Sequence, residues 1–301
     1  MSSSIPFIKA SACGNDFLLI EAEAVLLAAL VTDGGEKLPE VYADLTRRLC
    51  DRHEGIGADG VEWLSPDPAA DVRARLFNAD GSPAEISGNG TRCVAAYMIS
   101  RQGGQRITVR TGAGVKTCIL TARDGHRYEF ETAMGAPEVG DPFSVKLVFR
   151  EVEGVPVSMG NPHFVRFVDE GEFAPGWQAE AAEIGRHHDF KHGMNVELVR
   201  IENKHVISAL FLERGVGETR SSGTGSCASA IAAIATGRAE SPVEVRAAGG
   251  IQVVRWERRP EETNAKAKNR PASPVPPASG EGEVYLRGSA QILCQGEFFV
   301  G

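Results

Sequence analysis

Short apolar runs separated by Gly, Asn and Asp recur along most of the chain. Runs of this length, bounded by turn-forming residues, are typical of β-strands. They are FLLIEA, VRARLF, RITVRT, KTCIL, YEFETA, FVRFV, NVELVRI, VISALFL, VEVRA, IQVVRW and EVYLRG. The pattern therefore predicts a protein built mainly from short strands.

Three segments have helical spacing instead. In LPEVYADLTRRLCD, Val41, Leu45 and Leu49 recur every four residues and share one helix face. SGNGTRCVAAYM and SSGTGSCASAIAA are each entered through glycines and are nearly all apolar thereafter, which is typical of a buried helix. Cys93 and Cys227 lie inside these two segments and are predicted to be small core residues. Many strands with a few buried helices predict an α+β protein.

The chain contains a loose internal repeat. RLFNADGSPAEISGNGTR aligns with ALFLERGVGETRSSGTGS, and CGNDFLLIEA has a counterpart in MGNPHFVRFVD. A solenoid would repeat a shorter period more than twice, so the pattern favours two pseudo-symmetric halves, predicted as residues 1–132 and 133–287. Residues 257–283 are rich in Pro, Ala, Ser, Lys and Glu and are predicted to form a disordered insertion.

Composition restricts the classes of function. The 301 residues are 42% hydrophobic and 24% charged, with a net charge of −8, so we expect a soluble protein that binds neither nucleic acid nor an anionic membrane. No signal peptide is visible at the N-terminus. Six cysteines without a C-x-x-C pair favour reduced thiols, hence a cytoplasmic protein, over a disulfide framework or a zinc site. The run GRHHDFKH is interpreted as solvated surface rather than a metal site.

The two glycine-rich helix starts predict a site for an anion. A helix N-terminus has unpaired N–H groups and a partial positive charge, and glycines let a ligand approach the backbone. Neither turn has the Rossmann spacing, and no G-K-[ST] occurs. We expect the two helix ends to hold one carboxylate in a cleft between the halves, through the backbone of Gly88, Asn89, Gly90, Gly223, Thr224 and Gly225.

Six blocks of sequence carry a resemblance to a known family. ACGNDF, GIGADG, RLFNADGSPAEISGNGTRC, SMGNPH, MNVEL and ERGVGETRSSGTGSCA resemble, in order and spacing, the signature blocks of diaminopimelate epimerase. That family interconverts LL- and meso-diaminopimelate, a precursor of lysine and peptidoglycan, without pyridoxal phosphate. The resemblance implies two similar α/β halves, each a sheet wrapped around a central helix, with the active site in the interdomain cleft. It also implies that residues 288–301 return to the first half, that no cofactor or metal is needed, and that the protein is a homodimer.

The resemblance also implies roles for individual residues. Glu213 and His163 would flank the reacting centre, as catalytic residues. The substrate, a diamino diacid, would be bound by Glu213 together with Asn15, Asn78, Gly88, Asn89, Asn161, Asn195, Arg214, Gly223 and Thr224. The chemistry fits, because asparagines accept hydrogen bonds from an ammonium group and arginine binds a carboxylate with two parallel bonds.

This chain departs from the family at the two catalytic cysteines. Their positions, directly before G-N-G and G-T-G, are occupied by Ser87 and Ser222. A thiol has a pKa of about 8.5, which a helix N-terminus can lower below 7, close to the working pH of a general base. A hydroxyl is a far weaker acid and needs an adjacent base to become reactive.

The sequence leaves four explanations of the serines open. Ser87 and Ser222 could be deprotonated in an epimerase by Glu213, His163 or another neighbour. The chain could be a racemase or dehydratase that acts on another amino acid. Both cysteines could have been changed to serine to obtain an inert enzyme. The protein could also be a non-catalytic homologue that binds an amino acid.

Overall fold

The computed structural model describes residues 3–23, 38–169, 171, 173, 175–257 and 282–300. These residues form two compact units. The N-terminal unit lies within Met1–Thr132 and Arg287–Gly301, and the C-terminal unit lies within Ala133–Leu286. The insertion predicted at 257–283 lies outside the described residues, apart from its ends.

The N-terminal unit contains two described helices, α1 (Leu38–Cys50) and α2 (Gly88–Gln102). Its strands are β1 (Ser3–Ala12), β2 (Asn15–Glu21), β3 (Gly60–Asp67), β4 (Ala70–Asn78), β5 (Pro83–Ala84), β6 (Arg106–Thr111), β7 (Gly114–Asp124) and most of β8 (Arg127–Gly135). Most of β18 (Val284–Val300) also belongs to this unit, where it pairs with β1.

The C-terminal unit contains α3 (Trp177–Gly185) and α4 (Gly223–Ala235). Its strands are β9 (Glu138–Val139), β10 (Phe143–Lys146), β11 (Glu151–Ser158), β12 (Pro162–Phe167), β13 (Asn195–Asn203), β14 (Val206–Glu213), β15 (Gly217–Thr219), β16 (Val243–Ala247) and β17 (Gly250–Trp256).

The two units repeat one pairing scheme. In the N-terminal unit, β1–β2 is antiparallel, β2–β3 parallel, β3–β4 antiparallel, β4–β6 parallel and β6–β7 antiparallel. The C-terminal unit has the same order of parallel and antiparallel pairs, in β11–β12, β12–β13, β13–β14, β14–β16 and β16–β17. The internal repeat in the sequence is therefore a structural repeat, which confirms the α+β class with two pseudo-symmetric halves.

The alanine-rich helices form the centres of the two cores. The side chains of α2 pack with buried apolar residues from eight strands, and those of α4 pack with buried apolar residues from seven. Cys93 and Cys227 are fully buried within these helices, as predicted. Small side chains let each sheet curve closely around its helix, because interiors pack to crystal-like density.

The second helix of each unit packs in a separate core. α1 contributes Tyr42, Leu45 and Leu49 to one, and α3 contributes Trp177, Ala181 and Ile184 to another. The helix α3 was not predicted, although the buried residues recur at the helical spacing of four and three. It is short, and its N-terminal Gly176 supplies no side-chain cap, so the usual start signal is missing. Within the described residues, none of the helices combines the length and apolar character needed to cross a bilayer.

Candidate active site

Both serines are the N-caps of the central helices. Ser87 precedes α2 in an extended conformation, and its Oγ accepts a hydrogen bond from the Gly90 N–H at 3.1 Å. Ser222 precedes α4 in the same conformation, and its Oγ accepts from the Gly225 N–H at 3.1 Å. Each hydroxyl thus satisfies one of the donors that a helix start leaves unpaired. The first helical residues, Gly88 and Gly223, follow directly and offer their own N–H groups.

A tight hairpin brings Asn15 to the start of α2. Cys13 and Gly14 both have positive φ, at 47° and 85°, and form the two-residue turn between β1 and β2. The side chain of Asn15 then accepts a hydrogen bond from Asn89 Nδ2 at 2.6 Å and donates one to Asp59 Oδ2 at 3.0 Å. Asn89 also accepts from the buried side chain of Arg92. Two of the predicted substrate-binding residues therefore lie in contact.

Asn78 is not part of this network. It ends β4, is exposed, and its Nδ2 donates to Ser82 Oγ at 3.1 Å within its own turn. The network includes Asp59 instead, which sequence reasoning missed. Asp59 also pairs with Arg52 at 2.8 Å and accepts from the Asp16 N–H at 3.1 Å.

In the C-terminal unit, His163 is the centre of a chain of hydrogen bonds. The residue is 1% exposed, and its Nδ1 lies 2.7 Å from Glu197 Oε1. Its Nε2 lies 3.0 Å from Asn161 Oδ1, and Asn161 Nδ2 donates to Thr224 Oγ1 at 3.3 Å. The chain thus links a buried carboxyl group to the first turn of α4.

Asn195 joins two strand ends of the same unit. Its Nδ2 donates to the Pro162 carbonyl at 2.9 Å, and its Oδ1 accepts from the Arg214 N–H at 2.8 Å. The bond to Pro162 uses one of the two donor hydrogens of this amide group. Arg214 is exposed and donates to the His192 carbonyl at 2.9 Å, and Glu213 precedes it at the end of β14.

Two buried glutamates near these residues were also not predicted as site residues. Glu62 is 3% exposed, and burial raises its pKa to about 8. Glu197 is 1% exposed; burial raises its pKa, while His163 acts in the opposite direction and Glu213 raises it further. Both glutamates occupy strand positions whose side chains face a core, a signal readable only once the strands are assigned.

Three residues of the histidine run, His187, His188 and Asp189, form a cluster in the C-terminal unit. Ligand atoms of His187, His188 and Asp189 lie within 4.8 Å of one another. His187 Nε2 donates to the Lys146 carbonyl at 3.2 Å, and the His188 side chain is 86% exposed. None of the hydrogen bonds described above involves these residues.

Comparison with solved structures identifies the class of fold. A Bacillus anthracis phenazine biosynthesis protein of the PhzF family superposes with a TM-score of 0.68 at 14% identity, covering 99% of both chains. A hydroxyproline epimerase from Agrobacterium vitis superposes with a TM-score of 0.66 at 16% identity, covering 100% of this chain and 94% of that one. The chain therefore has the two-half fold of these proteins.

Sequence comparison identifies the family. The sequence model of diaminopimelate epimerase matches residues 7–139 and 155–269. The diaminopimelate epimerase of Pelotomaculum thermopropionicum is 36% identical over 266 residues, which cover 83% of this chain and 91% of the relative. The chain belongs to the diaminopimelate epimerase family.

Proposed function

We propose that the protein is a diaminopimelate epimerase that interconverts the LL and meso isomers by proton transfer at the α-carbon. The observation that carries this proposal is the pair of serine-capped helix N-termini, Ser87 before α2 and Ser222 before α4, at corresponding places in two repeated units. Family membership supports the same reaction. In the proposed enzyme, both helix ends bind the substrate's α-carboxylate.

Removal of the α-proton leaves negative charge that spreads onto the carboxylate. Without a pyridoxal group as electron sink, the charge must be stabilised electrostatically, and fixed N–H groups at a helix start do this without reorganising. We assign this role to the backbone of Gly88, Asn89, Gly90, Gly223, Thr224 and Gly225. Neither a metal nor a cofactor is required in this scheme.

Proton transfer is assigned to Ser87 on one face of the α-carbon and to Ser222 on the other. A hydroxyl needs a partner to act as a base. Glu213 and the His163–Glu197 pair supply acid–base groups in the unit that contains Ser222. The substrate's remaining polar groups are assigned to Asn15, Asn78, Asn161, Asn195 and Arg214. By the family resemblance, we also propose a cytoplasmic homodimer.

One observation favours a second candidate function, a non-catalytic protein that binds an amino acid. Each serine oxygen accepts a hydrogen bond from a helix N–H at 3.1 Å, which serves the cap. An oxygen held in this way stabilises the helix whether or not it moves a proton. A binder would keep the grip on the carboxylate and lack the reaction.

Proton exchange in D₂O distinguishes the two functions. The native chain and the Ser87→Cys, Ser222→Cys double variant are incubated with meso-diaminopimelate, and loss of the α-proton is followed together with formation of the LL isomer. We expect slow exchange and inversion by the native chain. The double variant should be faster by about 100-fold or more, since general-base catalysis is most efficient with a pKa near the working pH.

The outcomes separate the explanations of the serines. A silent native chain with a fast double variant means an epimerase pocket that lacks its acid–base pair. Absence of exchange in both forms, with diaminopimelate bound, supports the binder. Absence of both exchange and binding would overturn diaminopimelate as the substrate.

A further inference from the structure

A buried glutamate occupies the same place in both units. Glu62 lies in β3, between the parallel strand β2 and the antiparallel strand β4. Glu197 lies in β13, between the parallel strand β12 and the antiparallel strand β14. The flanking residues are apolar in both cases: Leu19 and Leu76 beside Glu62, Val165 and Phe211 beside Glu197. Burial of a carboxyl group among apolar strands is costly, so its recurrence calls for a reason.

Each carboxyl group lies against the first turn of the serine-capped helix. A Cβ atom built on Gly90 would lie 2.2 Å from Glu62 Oε1 and 3.3 Å from the Cβ of Ser87. A Cβ atom built on Gly225 would lie 2.9 Å from Glu197 Oε1 and 2.9 Å from the Cβ of Ser222. In both helices, the carboxyl oxygen and the serine therefore lie next to the same glycine.

At this place the charge of a carboxyl group affects anion binding. An ionised carboxylate beside the first turn would offset the partial positive charge of the helix end. It would also repel a carboxylate bound at that end, and the repulsion is strong because the surroundings are apolar. A neutral carboxyl group leaves the helix end attractive to anions.

The two glutamates avoid a net charge by different means. Glu197 Oε1 lies 2.7 Å from His163 Nδ1, while Nε2 of the same ring faces the acceptor Asn161 Oδ1. Because both ring nitrogens face acceptor atoms, the imidazole and the carboxyl group hold two protons between them, so the pair has no net charge. The other charged group that acts on Glu197 is Glu213 of β14.

Glu62 has different neighbours. The buried thiol of Cys93 in α2 is influenced by the charge of Glu62 and also by Arg92, Cys13 and Asp16. The Arg92 guanidinium contacts Asn89 and Cys13. Burial raises the pKa of Glu62 to about 8, so the carboxyl group holds its proton at pH 7.

We propose that Glu62 and Glu197 are positioning residues that control the charge at the N-termini of α2 and α4. Each helix end binds the substrate's α-carboxylate only while its glutamate has no net charge, Glu62 by holding a proton and Glu197 by pairing with His163. This inference rests on the proposed function, because it takes diaminopimelate as the anion.

Calorimetry across pH tests the role of Glu62. The Kd of meso-diaminopimelate is measured from about pH 7 to about pH 9.5 at constant ionic strength, for the native chain and for Glu62→Gln, which keeps the shape and is never charged. The two should bind equally at pH 7. At the highest pH the native chain should bind at least about tenfold more weakly than Glu62→Gln, from the repulsion of two nearby unit charges. Ionisation of the substrate affects both alike and cancels.

Glu21→Gln is the matched control. Glu21 lies on the neighbouring strand β2 and pairs with Arg101 at 2.8 Å at the partly exposed end of the strand. This variant should follow the native pH profile. The same profile in Glu62→Gln, or weaker binding by Glu62→Gln already at pH 7, would overturn the inference for Glu62.

His163→Gln tests the other half. Without the hydrogen bond from His163, Glu197 becomes a second buried carboxyl group that loses its proton at high pH. Binding of meso-diaminopimelate by the single variant should therefore weaken more steeply with rising pH than binding by the native chain. Adding Glu197→Gln should remove this additional loss of affinity. A single variant with the native profile would contradict the role assigned to Glu197.

An infrared measurement separates this inference from the proposed function. The protonated carboxyl stretch of Glu62 should appear in the difference between the native and Glu62→Gln spectra at pH 7 and vanish above its pKa. Its absence at pH 7 would overturn the inference whatever binds. If the band is present and no form binds diaminopimelate at any pH, the proposed substrate fails instead.

Discussion

Serine in place of cysteine makes each helix start a better N-cap and a weaker acid–base group. A serine oxygen is among the best N-caps, and both hydroxyls accept the hydrogen bond of a good cap from Gly90 or Gly225. A thiol is a weak hydrogen-bond acceptor but ionises near neutral pH at such a position. Ser87 and Ser222 therefore favour stability of the helix start over reactivity.

Ionisation of Glu62 should make the free energy of unfolding depend on pH. Its ordinary pKa is 4.5 and its pKa in the fold is about 8, so folding takes up a proton between these values. The stability of the native chain therefore falls relative to Glu62→Gln as pH rises from about 4.5 to about 8. The loss approaches about 1.4 kcal/mol per pH unit and stops above the folded pKa.

Urea unfolding of both forms at several pH values measures this difference. Glu21→Gln, a change at an exposed ion pair, should follow the native chain throughout. Equal pH dependence of the native chain and Glu62→Gln would mean that Glu62 is not buried in the way described.

At the scale of the helix, the third residue of the first turn must be glycine. A Cβ on Gly90 would lie 2.2 Å from Glu62 Oε1, inside any normal contact distance. We expect Gly90→Ala to destabilise the protein by about 1–3 kcal/mol, which is typical of overpacking. Adding Glu62→Ala should recover part of that loss because it removes the clashing group.

Gly88→Ala is the control in the same turn. A Cβ there would meet its nearest atom, Nη1 of Arg92, at 4.0 Å, and alanine favours the helix over glycine. The free energy of unfolding of the Gly88→Ala variant should be no lower than that of the native chain. A Gly90→Ala variant as stable as Gly88→Ala would show that the glutamate can move aside without cost.

At the scale of the whole molecule, each unit contributes one serine and one central helix. Inversion at the α-carbon needs a competent group on each face, so a single cysteine supplies only half of the pair. We expect Ser87→Cys alone and Ser222→Cys alone to raise the rate of isomer formation much less than the double variant does. Stereoisomer analysis over time measures this, and a single variant as fast as the double would contradict the two-base assignment.

Local patterns in the sequence determined eleven of the eighteen described strands, three of the four described helices and the repeat; the longer strands β1, β3 and β11 were not predicted. Strand alternation, helical spacing and glycine-rich turns act over a few residues, so they can be read directly from the chain. The duplicated phrases predicted two equivalent halves, and the common pairing scheme of β2–β4 and β12–β14 confirms them. The helix α3 was missed because it is short and has no side-chain cap.

Tertiary structure decided which polar groups meet. The bond from Asn15 to Asp59 spans 44 residues, and that from His163 to Glu197 spans 34. Neither pair is marked by local spacing, since contact depends on which strands become neighbours and in which register. The same holds for Glu62, whose place beneath α2 follows from the pairing of β3 with β2 and β4. A one-residue change of register would turn this carboxyl group to the opposite face of the sheet, so its burial is a property of the fold.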